Sequence, residues 1–330
     1  MLTIINDKNE IKKAQKLFEQ TIQKTLKKSN IASIGYQGGN QQEIFYWSPE
    51  LCLWAIFSTS SSNRFWNAFG ILDKPELPKL NSIDVEINFP FSGLARSIAG
   101  VIAKDERGGL IIAHRGKIGG GRKGVGQKLF FDNYNGETEI LQDGQNECKV
   151  ALVGALSSSH FIGQIHNFVQ EVKRIKLIPT MGKSDASTNA VKEIFSPEFC
   201  GDSTVKRNAT EITRKCDHGF LVKNLEAFIK KQGLKTANDV KRDLYILDKN
   251  KTIVVLFEIK SDLSLDSIYS GIGQLLLNSI NLSKKPKLVL VLPNTTSSSL
   301  KISLKKIGIN YLSYRWEKDT PKFLNCSEIL

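Results

Sequence analysis

Within KRDLYILDKNKTIVVLFEIKSD, residues 241–262, two carboxylates and a lysine stand where charge is costly: Asp243, Glu258 and Lys260. The run from Ile253 to Ile259 is almost continuously apolar, the pattern of a strand buried on both faces. Charges at the end of such a strand persist when they are paired or when they hold a metal. DKNK is a natural turn, and pairing Asp248 with Lys251 puts Asp243 opposite Leu256. Alternation at period two then turns Asp243, Leu256, Glu258 and Lys260 to one side. Oxygens placed so can hold Mg²⁺, and the ammonium can orient a water or stabilise charge on a phosphate. A surface salt-bridge ladder is the other use of the same spacing.

The elements around these residues follow a clear order. A helix is expected over 219–231, a strand hairpin over 243–260, a helix over 265–282, a strand over 287–292, a helix over 298–307 and a strand over 310–316. This predicts a compact α/β unit. Asp243, fourteen intervening residues and then Glu258-Ile259-Lys260, set in that order of elements over 206–316, resemble the PD-(D/E)XK nuclease superfamily of restriction-endonuclease type. The resemblance implies a mixed sheet flanked by helices. It also implies Mg²⁺ held by Asp243, Glu258 and the main-chain carbonyl of Ile259, with Lys260 positioning the attacking water. Glu226 in LVKNLEAFIKK stands where the family often has a further metal-linked glutamate, and Gln274 where many members carry a glutamine that orients the lysine or touches DNA. Two positions depart from the pattern: Arg242 replaces the proline before the aspartate, and Asn278 stands where one subgroup has tyrosine.

The first half of the chain reads differently. From Asp7, with Glu10 at capping-box spacing, Ile11, Ala14, Phe18, Ile22 and Leu26 recur every three or four residues, predicting an amphipathic helix with a lysine-rich outer face. Short apolar or alternating runs broken by turn residues then predict a strand-rich body to about Gly154, and a helix follows over 159–174. The polar stretch after Pro179 suits a connection. The expected organisation is an α+β DNA-recognition domain over 1–180, a linker over 181–204 and a nuclease domain over 205–330.

The most conspicuous motif of that first half is AHRGKIGGGRKGVG, residues 113–126. Gly119, Gly121 and Gly124 satisfy GxGxxG, but the neighbouring runs are strand-like and the following helix is short, which argues against a Rossmann unit. A P-loop is excluded because no Ser or Thr follows a Gly-Lys pair here. Glycines that allow close backbone approach, with cationic side chains beside them, suit a phosphate. The expected DNA contacts are His114, Arg115, Lys117, Gly119, Gly120, Gly121, Arg122 and Lys123; a small anionic ligand and a solvated hairpin are the alternatives. Tyr46, Trp47, Trp54, Phe65 and Trp66 suit core packing better than base stacking, and Arg96 suits either a guanine or a phosphate.

A net charge of +13 over 330 residues favours a polyanionic partner, double-stranded DNA on this reading. The N-terminal residues lack a signal-peptide pattern and no apolar run has the length of a transmembrane helix, so a cytoplasmic protein without a membrane partner is expected. The five cysteines contain no CxxC pair and read as reduced thiols; Cys200, Cys216 and His218 are a conceivable zinc set. Together with these features, the resemblance to PD-(D/E)XK nucleases implies a Mg²⁺-dependent, site-specific DNA endonuclease of restriction or phage-defence type. A homodimer is expected because a duplex has two strands, and a separate recognition domain leaves room for sensing base modification. A non-cleaving DNA-binding module and a nucleotide-sensing effector nuclease are the alternatives.

Overall fold

The computed structural model describes residues 2–36, 39–59, 63–72, 81–119, 123–181, 208–239, 241–282, 284–326 and 329. They form a mixed α/β protein of two compact units. Of the described residues, the first unit takes those up to 181 together with 208–216, and the second takes 217 onwards.

The first unit opens with β1 (Thr3–Ile4) and α1 (Lys8–Thr25). The Asp7 side chain caps α1 by accepting from the N–H groups of Asn9 and Glu10, and Ile11, Ala14, Phe18 and Ile22 line its buried face. The strands β2 (Lys27–Tyr36), β3 (Gly39–Ser48), β4 (Leu53–Ser58), β5 (Arg64–Ile71), β6 (Asn81–Ser82) and β7 (Val85–Glu86) make one sheet, ordered β6-β2-β3-β4-β5-β7, with β8 (Phe89–Pro90) paired to β5. The strands β9 (Gly100–Lys104), β10 (Leu110–His114), β11 (Thr138–Asp143) and β12 (Asn146–Ala155) close with β1 into a small barrel. Between β10 and β11 lies α2 (Gln127–Asn133), and α3 (Phe161–Met181) follows β12. Because β10 runs antiparallel to both β9 and β12, a βαβ dinucleotide fold is excluded here.

The next helix, α4 (Ala209–Lys231), starts ten residues earlier than its sequence suggests. The segment before Gly219 is polar and reads as a connection. It becomes helical because Ala209 and Ile212 are buried in the first unit's apolar core and the Ala209 N–H donates to Asp105 Oδ2 at 2.8 Å. Backbone N–H bonds from Ala209, Gly109 and Arg107 outweigh burial and hold the Asp105 carboxyl below its ordinary pKa.

The second unit is a six-stranded sheet in chain order: β13 (Lys235–Asp239), β14 (Arg242–Leu247), β15 (Ile253–Ile259), β16 (Lys287–Pro293), β17 (Ile309–Glu317) and β18 (Thr320–Leu324). The central pairs β15–β16 and β16–β17 are parallel, joined through α5 (Leu265–Ser279) and α6 (Ser298–Lys306), and the outer pairs are antiparallel. The apolar run of β15 is buried on both faces. Val255, Phe257 and Ile259 pack with Leu221, Leu225 and Ile229 of α4, whereas Leu256 packs with Leu275 of α5 and Leu304 of α6. No helix among the described residues is long and apolar enough to cross a membrane.

Candidate active site

The β14–β15 hairpin places the three charged residues, but in a register two residues away from the one its turn sequence suggests. The Asp248 N–H donates to the Thr252 carbonyl at 3.0 Å, and Lys251 adopts φ 61°, so the turn holds one residue more than a tight pairing of Asp248 with Lys251. A bulge follows, with Leu247 opposite Ile253 but Ile246 opposite Val255. Leu244 therefore faces Phe257. Continued by one residue, the register puts Asp243 directly across from Glu258 instead of Leu256. A shift of two preserves side-chain parity, so the two carboxylates still share a face.

Both are buried, Asp243 to 3% and Glu258 to 2% exposure. Asp243 Oδ2 accepts the Ile259 N–H at 2.7 Å, which locks the carboxylate to the strand it faces. Asp243 Oδ1 is buried with no hydrogen bond; the ring Nε2 of His218 on α4 lies 3.4 Å away. Glu258 Oε1 accepts Lys260 Nζ at 2.8 Å, and the same ammonium donates to Gln274 Oε1 on α5 at 2.7 Å. Ser270 also donates to that amide oxygen, at 3.0 Å. Lys260 thus lies between a buried carboxylate and a helix amide.

The surrounding backbone accounts for this placement. Lys260 N–H donates to the Val291 carbonyl at 3.0 Å, continuing the parallel ladder one residue past β15. The Tyr314 hydroxyl donates to the Lys260 carbonyl at 3.3 Å, and burial, with Asp217 and Asp262 nearby, raises its pKa. Gly271 of α5 is needed where the lysine crosses the helix: a Cβ there would meet Leu290 Cδ1 at 2.7 Å and Lys260 Cε at 3.0 Å.

Among the described residues, no group of three or more His, Cys, Asp or Glu side chains is arranged to hold a metal ion. Mg²⁺ asks less of the protein, since one or two carboxylates suffice with waters and substrate phosphate. The unsatisfied, buried Asp243 Oδ1 opposite Glu258 fits that requirement.

The remaining sequence-selected residues lie elsewhere or have other partners. Glu226 pairs with Lys230 at 2.7 Å on its own helix, and its eight-residue separation from His218 is about 12 Å of helix rise. His114 and Arg115 are corrected from DNA contacts to internal residues. His114 is fully buried against Phe130 and Phe168; its Nδ1 accepts the Gly116 N–H at 3.0 Å, which leaves Nε2 to donate to the Glu86 carbonyl at 3.2 Å. Arg115 is 5% exposed and donates to the carbonyls of Ile98 and Gly100 and to buried Asp143. Both face inward because β10 runs through the centre of the barrel sheet and the chain continues inward to Gly116. There φ is 72° and an added Cβ would strike Phe130 at 2.6 Å.

Lys117 and Lys123 are exposed, and the Lys117 ammonium donates to the Arg96 carbonyl at 2.6 Å. Gly119 is half-buried, with no space for a Cβ beside the Val125 carbonyl. Gly120, Gly121 and Arg122 lie outside the described residues, as does Cys200 of the conceivable zinc set. Arg96 is committed to Asp143 through both side chain and carbonyl, and Trp54 and Trp66 are core residues. Sequence reasoning missed three contributors to the site. His218 stands out in the sequence only beside Cys216, Tyr314 is one of several strand aromatics, and Gly271 sits in a helix with a second glycine and no mark of its own.

Neither family models, nor curated proteins, nor solved structures yield a match to this chain. The functional reading rests on the residues and their geometry.

Proposed function

We propose that the second unit is a Mg²⁺-dependent DNA endonuclease of restriction or phage-defence type, with a PD-(D/E)XK core, and that the first unit recognises the target. The observation that carries this reading is the convergence of Asp243, Glu258 and Lys260 at the end of one buried strand pair, with one carboxylate oxygen left unsatisfied. A purely structural ion pair would satisfy its buried oxygens. Here Asp243 keeps a desolvated, unbonded lone pair, as a cation ligand would.

In phosphodiester hydrolysis a water oxygen bonds to phosphorus, the bond to one ester oxygen breaks, and that leaving oxygen takes up a proton. Asp243 and Glu258, with the main chain at Ile259, would hold the cation. When bound, Mg²⁺ supplies positive charge against the phosphate and its leaving group. Lys260, fixed by Glu258 and Gln274, would orient the water and offset charge building on the phosphoryl oxygens. Gln274 acts through the lysine, restricting its rotamers so that little reorganisation remains at the moment of reaction.

The deciding experiment is cleavage of matched methylated and unmethylated plasmid DNA with Mg²⁺ at low salt, comparing wild type with Lys260→Ala. Discrete fragments from wild type, reduced at least ~100-fold in the variant, are expected. Which plasmid is cut reports the modification preference. Tight DNA binding without any cutting would replace this reading with a non-cleaving module.

A further inference from the structure

The end of the second unit where α5 and α6 return to the sheet carries two features that the proposed reaction does not use. The first is apolar exposure at the helix ends. Leu276, Leu277 and Ile280 of α5 and its cap, with Ile302 and Ile307 of α6 and its cap, are between 40% and 69% exposed. Single exposed apolar side chains are ordinary, but these gather at the ends of two helices that share a groove. The groove, about 430 Å³, is lined by Leu276, Ile280, Leu282, Leu288 and Ile307, with Ser279 and Lys285 as its polar side chains. Gly308 completes the lining at φ 75°, with nothing within 4 Å of an added Cβ.

The second feature is charge. From 267 to 316 the chain has seven basic side chains and no acidic one. Two of them are occupied internally: Lys287 donates to the Ile329 carbonyl at 2.8 Å, and Lys301 lies over the Tyr311 ring. Lys284 and Lys285 follow α5, Lys305 and Lys306 end α6, and all four are exposed. The one acidic residue of α5, Asp266, lies fourteen positions before Ile280, about 21 Å of helix rise.

We propose that this groove docks an acidic, amphipathic segment of another protein, whose apolar side chains enter between the helix ends while its carboxylates meet the four lysines. An apolar floor beside a cationic rim asks for both properties in one partner. Nucleic acid brings the charge without the apolar side chains, because backbone contacts go to phosphate and sugar oxygens. A second copy of this chain, itself at +13, would bring the same lysines to the same place. An amphipathic acidic helix meets both demands: anchors every three or four residues fill a groove, and opposite charges fix its orientation.

The groove lies at the starts of β16 and β17, whereas Glu258 and Lys260 stand at the end of β15, which runs parallel to β16. Docking therefore leaves the proposed active site open. It does touch the helix that holds Lys260, since Gln274 lies six residues before Ile280, about 9 Å of helix rise. The inference goes beyond the nuclease reading and does not depend on it.

The test is fluorescence anisotropy of the full chain with a labelled helical peptide that has leucines along one face and glutamates along the other. Polyglutamate, a peptide of the same composition with its leucines dispersed, and a short DNA duplex are the comparisons. Ile307→Ser alters the floor, and the double change Lys285→Glu, Lys306→Glu alters the rim; circular dichroism checks that both variants fold. Micromolar binding of the amphipathic peptide is expected, at least ~10-fold tighter than either comparison peptide and at least ~10-fold weaker in each variant. The rim variant should gain affinity for the same peptide with lysines in place of glutamates, a reversal that a folding defect does not produce. Equal binding of polyglutamate overturns the proposal, and so does peptide binding that is absent or indifferent to both variants. Duplex binding, or self-association in sedimentation, that both variants weaken while peptide binding is unchanged gives the surface to nucleic acid or to a second copy and overturns it as well. Every readout is binding without Mg²⁺, so the nuclease reading stands or falls separately.

Discussion

At the scale of single residues, Asp243 spends one oxygen on the Ile259 N–H and leaves the other buried without a hydrogen bond. Such an atom costs stability and is retained where it serves a function. Asp243→Asn keeps a carbonyl oxygen for Ile259 and removes the buried negative charge. It should abolish cleavage yet raise stability by about 0.5–2 kcal/mol. Mg²⁺ should raise the melting temperature of wild type and not that of the variant; equal shifts in both would rule out Asp243 as a cation ligand. His114 makes a second residue-scale test. Burial first, then the nearby Lys176 and Arg115, lower its pKa to about 3, against an ordinary value of 6.5. The unfolded chain therefore binds the extra proton between those values. Stability is fully present above about pH 6.5 and falls as pH drops towards about 3, by on the order of several kcal/mol. In thermal melts across that window, His114→Phe should show a shallower acid limb than wild type, whatever its stability at neutral pH.

At the scale of elements, the site depends on where α5 crosses the end of β15. Gly271 leaves the space through which Lys260 reaches Glu258 and Gln274. An added Cβ would meet Leu290 Cδ1 and the Cε and Cγ of Lys260, so Gly271→Ala should displace the lysine as well as press on the buried Leu290. Cleavage should fall about tenfold or more, the cost of losing ~1.4 kcal/mol of transition-state stabilisation, with an unchanged circular dichroism spectrum. Full activity in Gly271→Ala would show that Lys260 is not held by this crossing. The hairpin contributes the other half of the positioning. Its extra turn residue and its bulge each shift the register by one, and two shifts restore the face on which both carboxylates lie.

At the scale of the whole molecule, a charge of +13 predicts that DNA binding, on the proposed reading, depends strongly on salt. If six to ten phosphates are contacted, binding should weaken by ~10³–10⁵ between 50 and 200 mM salt. A nearly flat dependence in a titration of labelled duplex would argue against an electrostatic DNA interface. The first unit also draws on residues distant in sequence, since 208–216 pack with it through Ala209 and Ile212. A fragment covering 1–216 should melt above one covering 1–181, because removing buried Ile212 and the Ala209–Asp105 bond costs about 2–5 kcal/mol.

Much of this was legible in the sequence because its signals are local. The capped periodicity of α1, the apolar run of β15 and the shared parity of Asp243, Glu258 and Lys260 follow from repeats of 3.6 and 2 that any reader of the chain can count. His114 and Arg115 leave the expected phosphate loop for a non-local reason: glycine and basic composition suits such a loop, but burial depends on which strands flank β10, and those place these two residues inside. The early start of α4 is likewise settled by packing partners far away in the chain. The sequence alone determined which residues are chemically able to act and on which face of their strand they stand. Tertiary structure decided which of them meet, since Gln274, Gly271, His218 and Tyr314 reach the hairpin only once α4, α5 and β17 pack around it.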